Sequence, residues 1–316
     1  MNIFLANPRG FCAGVKRAIN IVIIALKTYG KPIYVNHEIV HNTHVIKNLE
    51  SMGVIFNKNI NSIPEGSILI FSAHGTSKYI YKKAIEKKLK IIDATCPLVK
   101  KVHKEVSYAS KSNFEAILIG TSKHPETEGT LGQYTNKNKK IYLIESIRDV
   151  LKLKIRNPKK LMLMTQTTLS FEKINPIIKK LYKIYPKIIK PKKSDICYAT
   201  INRQIAVKNL LKISDSIIVV GSKHSSNSNQ LFQITKKKIK YSILIDSEKE
   251  INNIKWIEKV ESIGITAGAS TPNTIIEKVI QKINNKNKKN KIQEMVGIQE
   301  NIKFHLPKDL KKLKCG

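Results

Sequence analysis

No apolar run in this sequence approaches the roughly 20 residues that a membrane-spanning helix requires. The opening residues, MNIFLANPRG, also lack the longer apolar stretch that a signal peptide carries before its cleavage site. Neither a membrane protein nor a secreted one is expected, and the chain reads as cytoplasmic. There is no CxxC pair, no zinc-finger spacing, no aromatic RNA-binding signature and no GxGxxG fingerprint. A flavin or nicotinamide therefore has no motif to hold it. Acidic residues are scarce: 23 Asp+Glu stand against 57 Lys+Arg, a formal net charge of +34.

Such a balance ordinarily puts nucleic acid high among partners, because clustered cations neutralise phosphates. Here the lysines are spread along the chain beside abundant isoleucine and asparagine, as in KINNKNKKNK near residue 282. These residue types share AT-rich codons, so the charge reads as compositional drift and no nucleic-acid partner is expected. It would still speed the approach of any anionic substrate. With 316 residues and 41% hydrophobic content, the chain can bury a sizeable core in two or three domains.

Four cysteines stand at positions 12, 96, 197 and 315, and a reducing compartment argues against disulfides among them. Cys315, in a lysine-rich tail one residue from the end, reads as incidental. The other three each open a copy of one plan. FCAGVKRAINIVIIALKTYG, CPLVKKVHKEVSYASK and CYATINRQIAVKNLLKIS each set a cysteine at a helix start, with apolar residues recurring behind it. A strand and a polar loop follow: PIYVNHEIVHN, AILIGTSKHPETEG and SIIVVGSKHSSNSN. They bring His41, His124 and Ser225 to 29, 28 and 28 residues after their cysteines. A further strand then enters another polar turn, in ILIFSAHGTS, LMLMTQTTLS and SIGITAGAST, presenting His74, Thr167 and Ser270.

Strands alternating with helices predict parallel α/β sheets, in which ligands gather at the carboxyl ends of strands. The expected architecture is three similar parallel-sheet units around a pseudo-threefold axis with a central iron-sulfur cluster. Their bounds are 1–96, including the N-terminal strand and the Cys12 loop, then 97–193 and 194–282. Residues 283–316 form a charged segment and a C-terminal arm, with 283 to 293 solvated and NIKFHLPKDL as the arm.

Three cysteines from three units, with no fourth beside them, suit a [4Fe-4S] cluster that leaves one iron open to substrate. Three buried thiols packed as small hydrophobes are the structural alternative, and zinc, which favours close ligand pairs, is a weaker one. The loops supply His, Ser, Thr and Asn donors beside glycines that let backbone N–H groups approach an anion, the make-up of a phosphate pocket. In HPETEGT, Glu126 lies two residues from His124 and is the carboxylate chosen to protonate a leaving hydroxyl; Glu128 is an exposed loop charge.

Nine segments carry a resemblance: ANPRGFCAGV, HEIVHN, SAHG, DATCPLV, HPETEGT with GQY, TQTTLS, DICYAT, VGSKHSSNSN and TAGAS. In this order, from Asn2 to NIKFHLP, they closely resemble the 4-hydroxy-3-methylbut-2-enyl diphosphate reductase family, the last enzymes of the methylerythritol phosphate route to isoprenoids. The resemblance implies one [4Fe-4S] cluster on Cys12, Cys96 and Cys197, and reductive loss of an allylic hydroxyl to give isopentenyl and dimethylallyl diphosphate. It implies diphosphate binding by His41, His74, His124, Ser225, Ser226, Asn227 and Ser270, hydroxyl positioning by Thr167 and proton delivery by Glu126. Ferredoxin or flavodoxin is the implied electron donor. Two other readings compete: a hydro-lyase with a similar cluster, which needs no donor, and a basic RNA-binding protein, which would carry no chromophore.

Overall fold

The computed structural model describes residues 1–286, 290–307 and Leu310; Cys315 lies outside them. Strand β1 (Asn2–Leu5) leads to helix α1 (Ala13–Tyr29). There follow β2 (Ile33–Asn36), α2 (Thr43–Ser51), β3 (Val54–Asn57), β4 (Ile68–Phe71), α3 (Lys78–Glu86) and β5 (Lys90–Asp93). The next stretch holds α4 (Pro97–Lys111), β6 (Glu115–Ile119), α5 (Pro125–Leu131), β7 (Ile141–Ile144), α6 (Ile147–Leu151), β8 (Leu161–Thr165) and α7 (Phe171–Ile184). The last holds α8 (Tyr198–Leu210), β9 (Ser216–Val220), α9 (Ser226–Lys236), β10 (Tyr241–Ile245), β11 (Ser262–Ala267), α10 (Asn273–Lys286) and β12 (Lys291–Glu294).

The strands make three sheets, of orders β3-β2-β4-β5, β7-β6-β8 and β10-β9-β11-β1-β12, and all their pairings are parallel. The common plan is therefore visible as strand order. In each sheet the first strand of this plan, β2, β6 or β9, lies between the second (β3, β7 or β10) and the third (β4, β8 or β11). The alternating pattern read from the sequence supplied the first and third of these; β3, β7 and β10 are additional. Strands β6, β9 and β11 are buried along their whole length. That suits parallel strands covered on both faces, and it explains why they read as unbroken apolar runs.

By packing, the chain divides into two compact units. The first comprises Met1–Val15, His41–Asn48 and Tyr198–Lys303, and contains the five-stranded sheet. Its core sets Ile3, Ile218, Val220, Ile263 and Ile265 against Ile276, Val279 and Ile283 of α10. The second comprises Lys16–Val40, Leu49–Cys197 and the described residues from Phe304 onward, and contains the other two sheets. Here Leu69, Phe71 and Ala84 form one cluster, and Val102, Val106, Leu118 and Met164 another.

Two local departures from expectation have simple causes. Residues 283 to 286 are the end of α10, because Ile283 extends the series Ile276, Val279 and packs fully buried. Lys291–Glu294 is exposed at every position, as expected, yet forms edge strand β12 beside β1. Its charged sequence suits an edge that must not recruit another chain.

Within the first unit, Arg203 on α8 is fully buried. It donates to the Gly10 carbonyl at 2.7 and 3.1 Å, to the Ala199 carbonyl at 2.9 Å, and pairs with Glu300 at 3.1 Å. Gly10 has φ +70°, and a Cβ there would lie 2.9 Å from Asn273 Oδ1, so glycine is needed for the turn that leads to Cys12. Arg203→Met removes the cationic partner of half-buried Glu300, which keeps only the Asn202 amide donor, and takes the guanidinium from the Gly10 carbonyl. Urea unfolding should show a loss of about 3–5 kcal/mol; a loss below about 1 kcal/mol would show that the pair contributes little.

Candidate functional site

Each of the three central cysteines stands one residue before a helix: Cys12 before α1, Cys96 before α4 and Cys197 before α8. None is in a disulfide, and all three are half-buried. At Cys96 no side chain caps the helix, and Pro97 fills the first turn where its missing N–H costs nothing. The first-turn N–H groups and the helix dipole favour an anion at such a position, which is the environment that stabilises a thiolate.

In the first unit the N–H of Cys12 donates to the Ala269 carbonyl at 3.1 Å, which ties the cysteine to the turn after β11. The next residue, Ser270, donates its hydroxyl to the His41 carbonyl at 3.0 Å and lies 3.5 Å from the Ser225 hydroxyl. Ser225 caps α9, accepting from Ser228 N at 3.3 Å. Ser226 opens that helix, and Asn227 Oδ1 accepts from Ala269 N at 3.0 Å. Asn227 is 4% exposed, and its Nδ2 is a buried donor with no hydrogen-bond partner among the described residues. A buried amide donor left unmade is costly, so this atom fits an incoming acceptor such as a phosphate oxygen. His41, Ser225, Ser226, Asn227, Ser270 and Cys12 therefore share this unit.

The second unit gathers Cys96, Cys197, His74, His124, Glu126 and Thr167. The Cys96 N–H donates to the Ala73 carbonyl at 3.0 Å, beside His74. Gly75 follows with φ +81°, and a Cβ there would fall 2.5 Å from the His103 ring. The rings of His74 and His124 meet edge to face at 5.8 Å. His124 caps α5, its Nδ1 accepting from Glu126 N at 3.1 Å. In the neutral ring that leaves the proton on Nε2, which makes it the donor.

Glu126 is 3% exposed, whereas Glu128 is exposed. Glu126 Oε1 accepts from Thr167 N at 2.7 Å, and the Thr167 carbonyl accepts from Cys197 N at 3.0 Å. Acid, threonine and cysteine are thus consecutive in one hydrogen-bonded chain. Asp93 accepts from Thr95 N at 2.9 Å and pairs with Lys100 at 2.6 Å, fixing the turn into Cys96. Burial opposes its ionisation, but Lys100 and Thr95 together hold the carboxyl below the usual carboxylate range.

Several residues at the site were not singled out from the sequence: Lys101, Asp195 and Arg203 as charged anchors, and Gln166, whose Oε1 accepts from Thr121 N at 2.9 Å. Asp195 lies inside the quoted DICYAT segment, and its place two residues before Cys197 was the available signal. Among the described residues, no group of three or more His, Cys, Asp or Glu side chains converges as a single metal ion demands. A cluster makes a different demand, since it spreads its thiolates over separate corners. Three half-buried thiols at helix starts, outside any disulfide, fit that kind of group.

The family model described as LytB protein matches residues 3–284. A protein of Wigglesworthia glossinidia brevipalpis named 4-hydroxy-3-methylbut-2-enyl diphosphate reductase is 55% identical over 312 residues, covering 98% of each chain. One of the same name from Shigella flexneri is 49% identical over 311 residues, again covering 98% of each. The solved E-1-hydroxy-2-methyl-but-2-enyl-4-diphosphate reductase of Plasmodium falciparum is 39% identical with a TM-score of 0.94, over 99% of this chain and 98% of that one. A further solved structure, described as the terminal enzyme of the non-mevalonate pathway, is 33% identical with a TM-score of 0.64, over 90% and 100%.

His103 lines a groove of about 250 Å³ with Thr76, Lys78, Asp93, Lys100 and Gln133, and none of the residues assigned to the site from sequence lines it. Burial pushes the imidazole down to about 4, opposed by Asp93 and aided by Lys100. Its folded pKa lies below the unfolded value of 6.5, so the unfolded chain binds the proton first. The stability held by neutral His103 is complete above pH 6.5 and is lost as the pH falls toward 4. In urea unfolding, the advantage of the parent chain over His103→Gln should therefore shrink across that window. An advantage that is flat with pH, or that grows toward acid, contradicts the assignment.

Proposed function

The chain belongs to the LytB protein family, and we propose that it is a 4-hydroxy-3-methylbut-2-enyl diphosphate reductase. In this reaction the allylic carbon–oxygen bond breaks and the hydroxyl leaves as water. Two electrons and two protons are consumed, one proton going to the leaving oxygen and one to carbon. The products are isopentenyl and dimethylallyl diphosphate, which makes this the last step of the methylerythritol phosphate pathway.

In this reading Cys12, Cys96 and Cys197 hold one [4Fe-4S] cluster. When bound, it supplies electrons singly and an iron without a protein thiolate, a Lewis acid for the hydroxyl. The observation that supports the reading best is the chain from buried Glu126 through Thr167 to Cys197. It sets a carboxyl group beside the threonine assigned to the substrate hydroxyl, on the loop that holds a cysteine. Glu126 delivers the proton on which departure of the hydroxyl depends. Thr167 orients that hydroxyl.

His41, His74, His124, Ser225, Ser226, Asn227 and Ser270 bind the diphosphate. The buried Nδ2 of Asn227 and the Nε2 proton of His124 are the donors the geometry favours most directly. Charge-assisted bonds of this kind contribute about 1.5–3 kcal/mol each. Electrons come from a separate ferredoxin or flavodoxin, which a chain of net charge +34 attracts at long range if the donor is acidic. Among the described residues no helix is long and apolar enough to cross a membrane, and the enzyme works in the cytoplasm without nucleic acid. The working division of the chain is 1–96, 97–193 and 194–282, with 283–316 as the C-terminal arm.

Anaerobic protein given a chemical one-electron donor should convert the substrate to both products, and no turnover should occur without the donor. Product formed without a donor would identify a dehydratase. Glu126→Gln keeps size and hydrogen bonding but loses the acid, so turnover should fall about 100-fold or more while iron content holds. Glu128→Gln should turn over normally. Near-normal turnover in Glu126→Gln would show that the proton comes from elsewhere.

A further inference from the structure

Helix α4 starts one residue after Cys96, and its fifth residue is Lys101. Lys101 is directed at the segment that leads into Cys197. Its Nζ donates to the carbonyl of Lys193 at 2.8 Å, to the carbonyl of Ser194 at 3.3 Å and to Asp195 Oδ1 at 2.8 Å. Three consecutive residues are thus held by one ammonium group, which uses the three donors such a group has.

Asp195 is completely buried as a side chain. Its second oxygen accepts from Thr165 N at 2.9 Å, at the end of β8. Two residues on, Cys197 N donates to Thr167. The carboxylate therefore joins α4, the end of β8 and the Cys197 segment. A fully buried carboxylate is tolerated only with compensation of this kind.

Glu105, one turn beyond Lys101 on α4, has Oε1 3.6 Å from the same ammonium. Burial first, then the charge of Asp195 and a hydrogen bond to it, raise its carboxyl to about 7, against the pull of Lys101. Near neutral pH it competes weakly for the lysine, which stays committed to Asp195. The hydrogen bonds of Lys101 and Asp195 run to the backbone and to each other, so their role is geometric.

We propose that Lys101, paired with Asp195, is a positioning residue that fixes the spacing between Cys96 and Cys197 and so sets how firmly an iron-sulfur cluster is held. This rests on the reading of both cysteines as cluster ligands. The clamp joins a rigid helix that begins just after one ligand to a short segment that ends at the other. Without it, the Cys197 segment keeps its bond to Thr167, and of α4 it retains only the Glu105–Asp195 contact. The two thiolates then lose their fixed separation, and iron leaves more readily.

The test uses the full chain, reconstituted anaerobically with iron and sulfide. Lys101→Met keeps most of the side-chain volume but leaves Asp195 as a buried uncompensated charge. The double variant Lys101→Met with Asp195→Asn removes that charge, and so separates loss of the clamp from loss of stability. Lys104→Met, on the same helix and exposed, is the control. Iron release to a chelator is followed together with the electron paramagnetic resonance spectrum of the reduced cluster and the thermal midpoint of the iron-free protein.

Release should be at least about tenfold faster in both Lys101 variants, the scale on which supporting partners of metal ligands act. The resonance should be altered in both, while the iron-free double variant melts near the parent and Lys104→Met matches the parent throughout. Parent-like release and an unaltered spectrum in the double variant overturn the clamp while leaving the ligand reading intact. A parent chain that takes up no cluster overturns the ligand reading itself, and the clamp with it.

Discussion

A thiolate set immediately before a helix faces unpaired backbone N–H groups and the positive end of the helix dipole. Three helices in this chain begin one residue after a cysteine. That constraint organises much else. A cysteine there cannot move far without unwinding the first turn, so its position is inherited from the packing of the helix. The packing is provided by parallel sheets in which β6, β9 and β11 are wholly buried. Soft, reactive groups are thereby carried on stiff elements.

The hydrogen bonds around the cysteines show how the same economy serves the chemistry. Backbone groups of Cys12, Cys96 and Cys197 are tied to Ala269, Ala73 and Thr167, each in a turn that follows a strand. The turns at Ala73 and Ala269 each run on into an assigned substrate ligand, His74 and Ser270, and the third supplies Thr167 itself. Glu126 is held by Thr167 N through its carboxylate, and its own N–H is held by the His124 ring. Binding groups, acid and thiols are consequently placed by the same few loops. A substitution intended to perturb one of them reaches its neighbours through a single peptide.

Much of this was legible in the sequence because it is local. A cysteine, an apolar helix, an apolar strand and a polar loop at a fixed spacing are visible in a window of about thirty residues. The three sheets have the common order this repetition implies, and the cysteines stand at helix starts as read. What was not legible is what joins distant residues. Nothing in four residues of β1 states that it lies between β11 and β12. Arg203 meets Gly10 across 193 positions, and Lys101 meets Asp195 across 94. In a chain so rich in basic residues, an anchoring lysine has no compositional mark that separates it from a solvated one. Strands β3, β7 and β10 escaped for another reason: they are short apolar runs, ambiguous by themselves, and they lead into none of the polar loops on which the repeat was read.

In the proposed site, three thiolates at helix starts hold a four-iron group with one iron left for substrate. Mössbauer spectroscopy of protein reconstituted anaerobically with ⁵⁷Fe measures this directly, since it resolves irons by their ligands. Four irons per chain are expected, three alike and one distinct, with only the distinct one changing when 4-hydroxy-3-methylbut-2-enyl diphosphate is added. A mononuclear signal, or four irons none of which responds to the diphosphate, would contradict it.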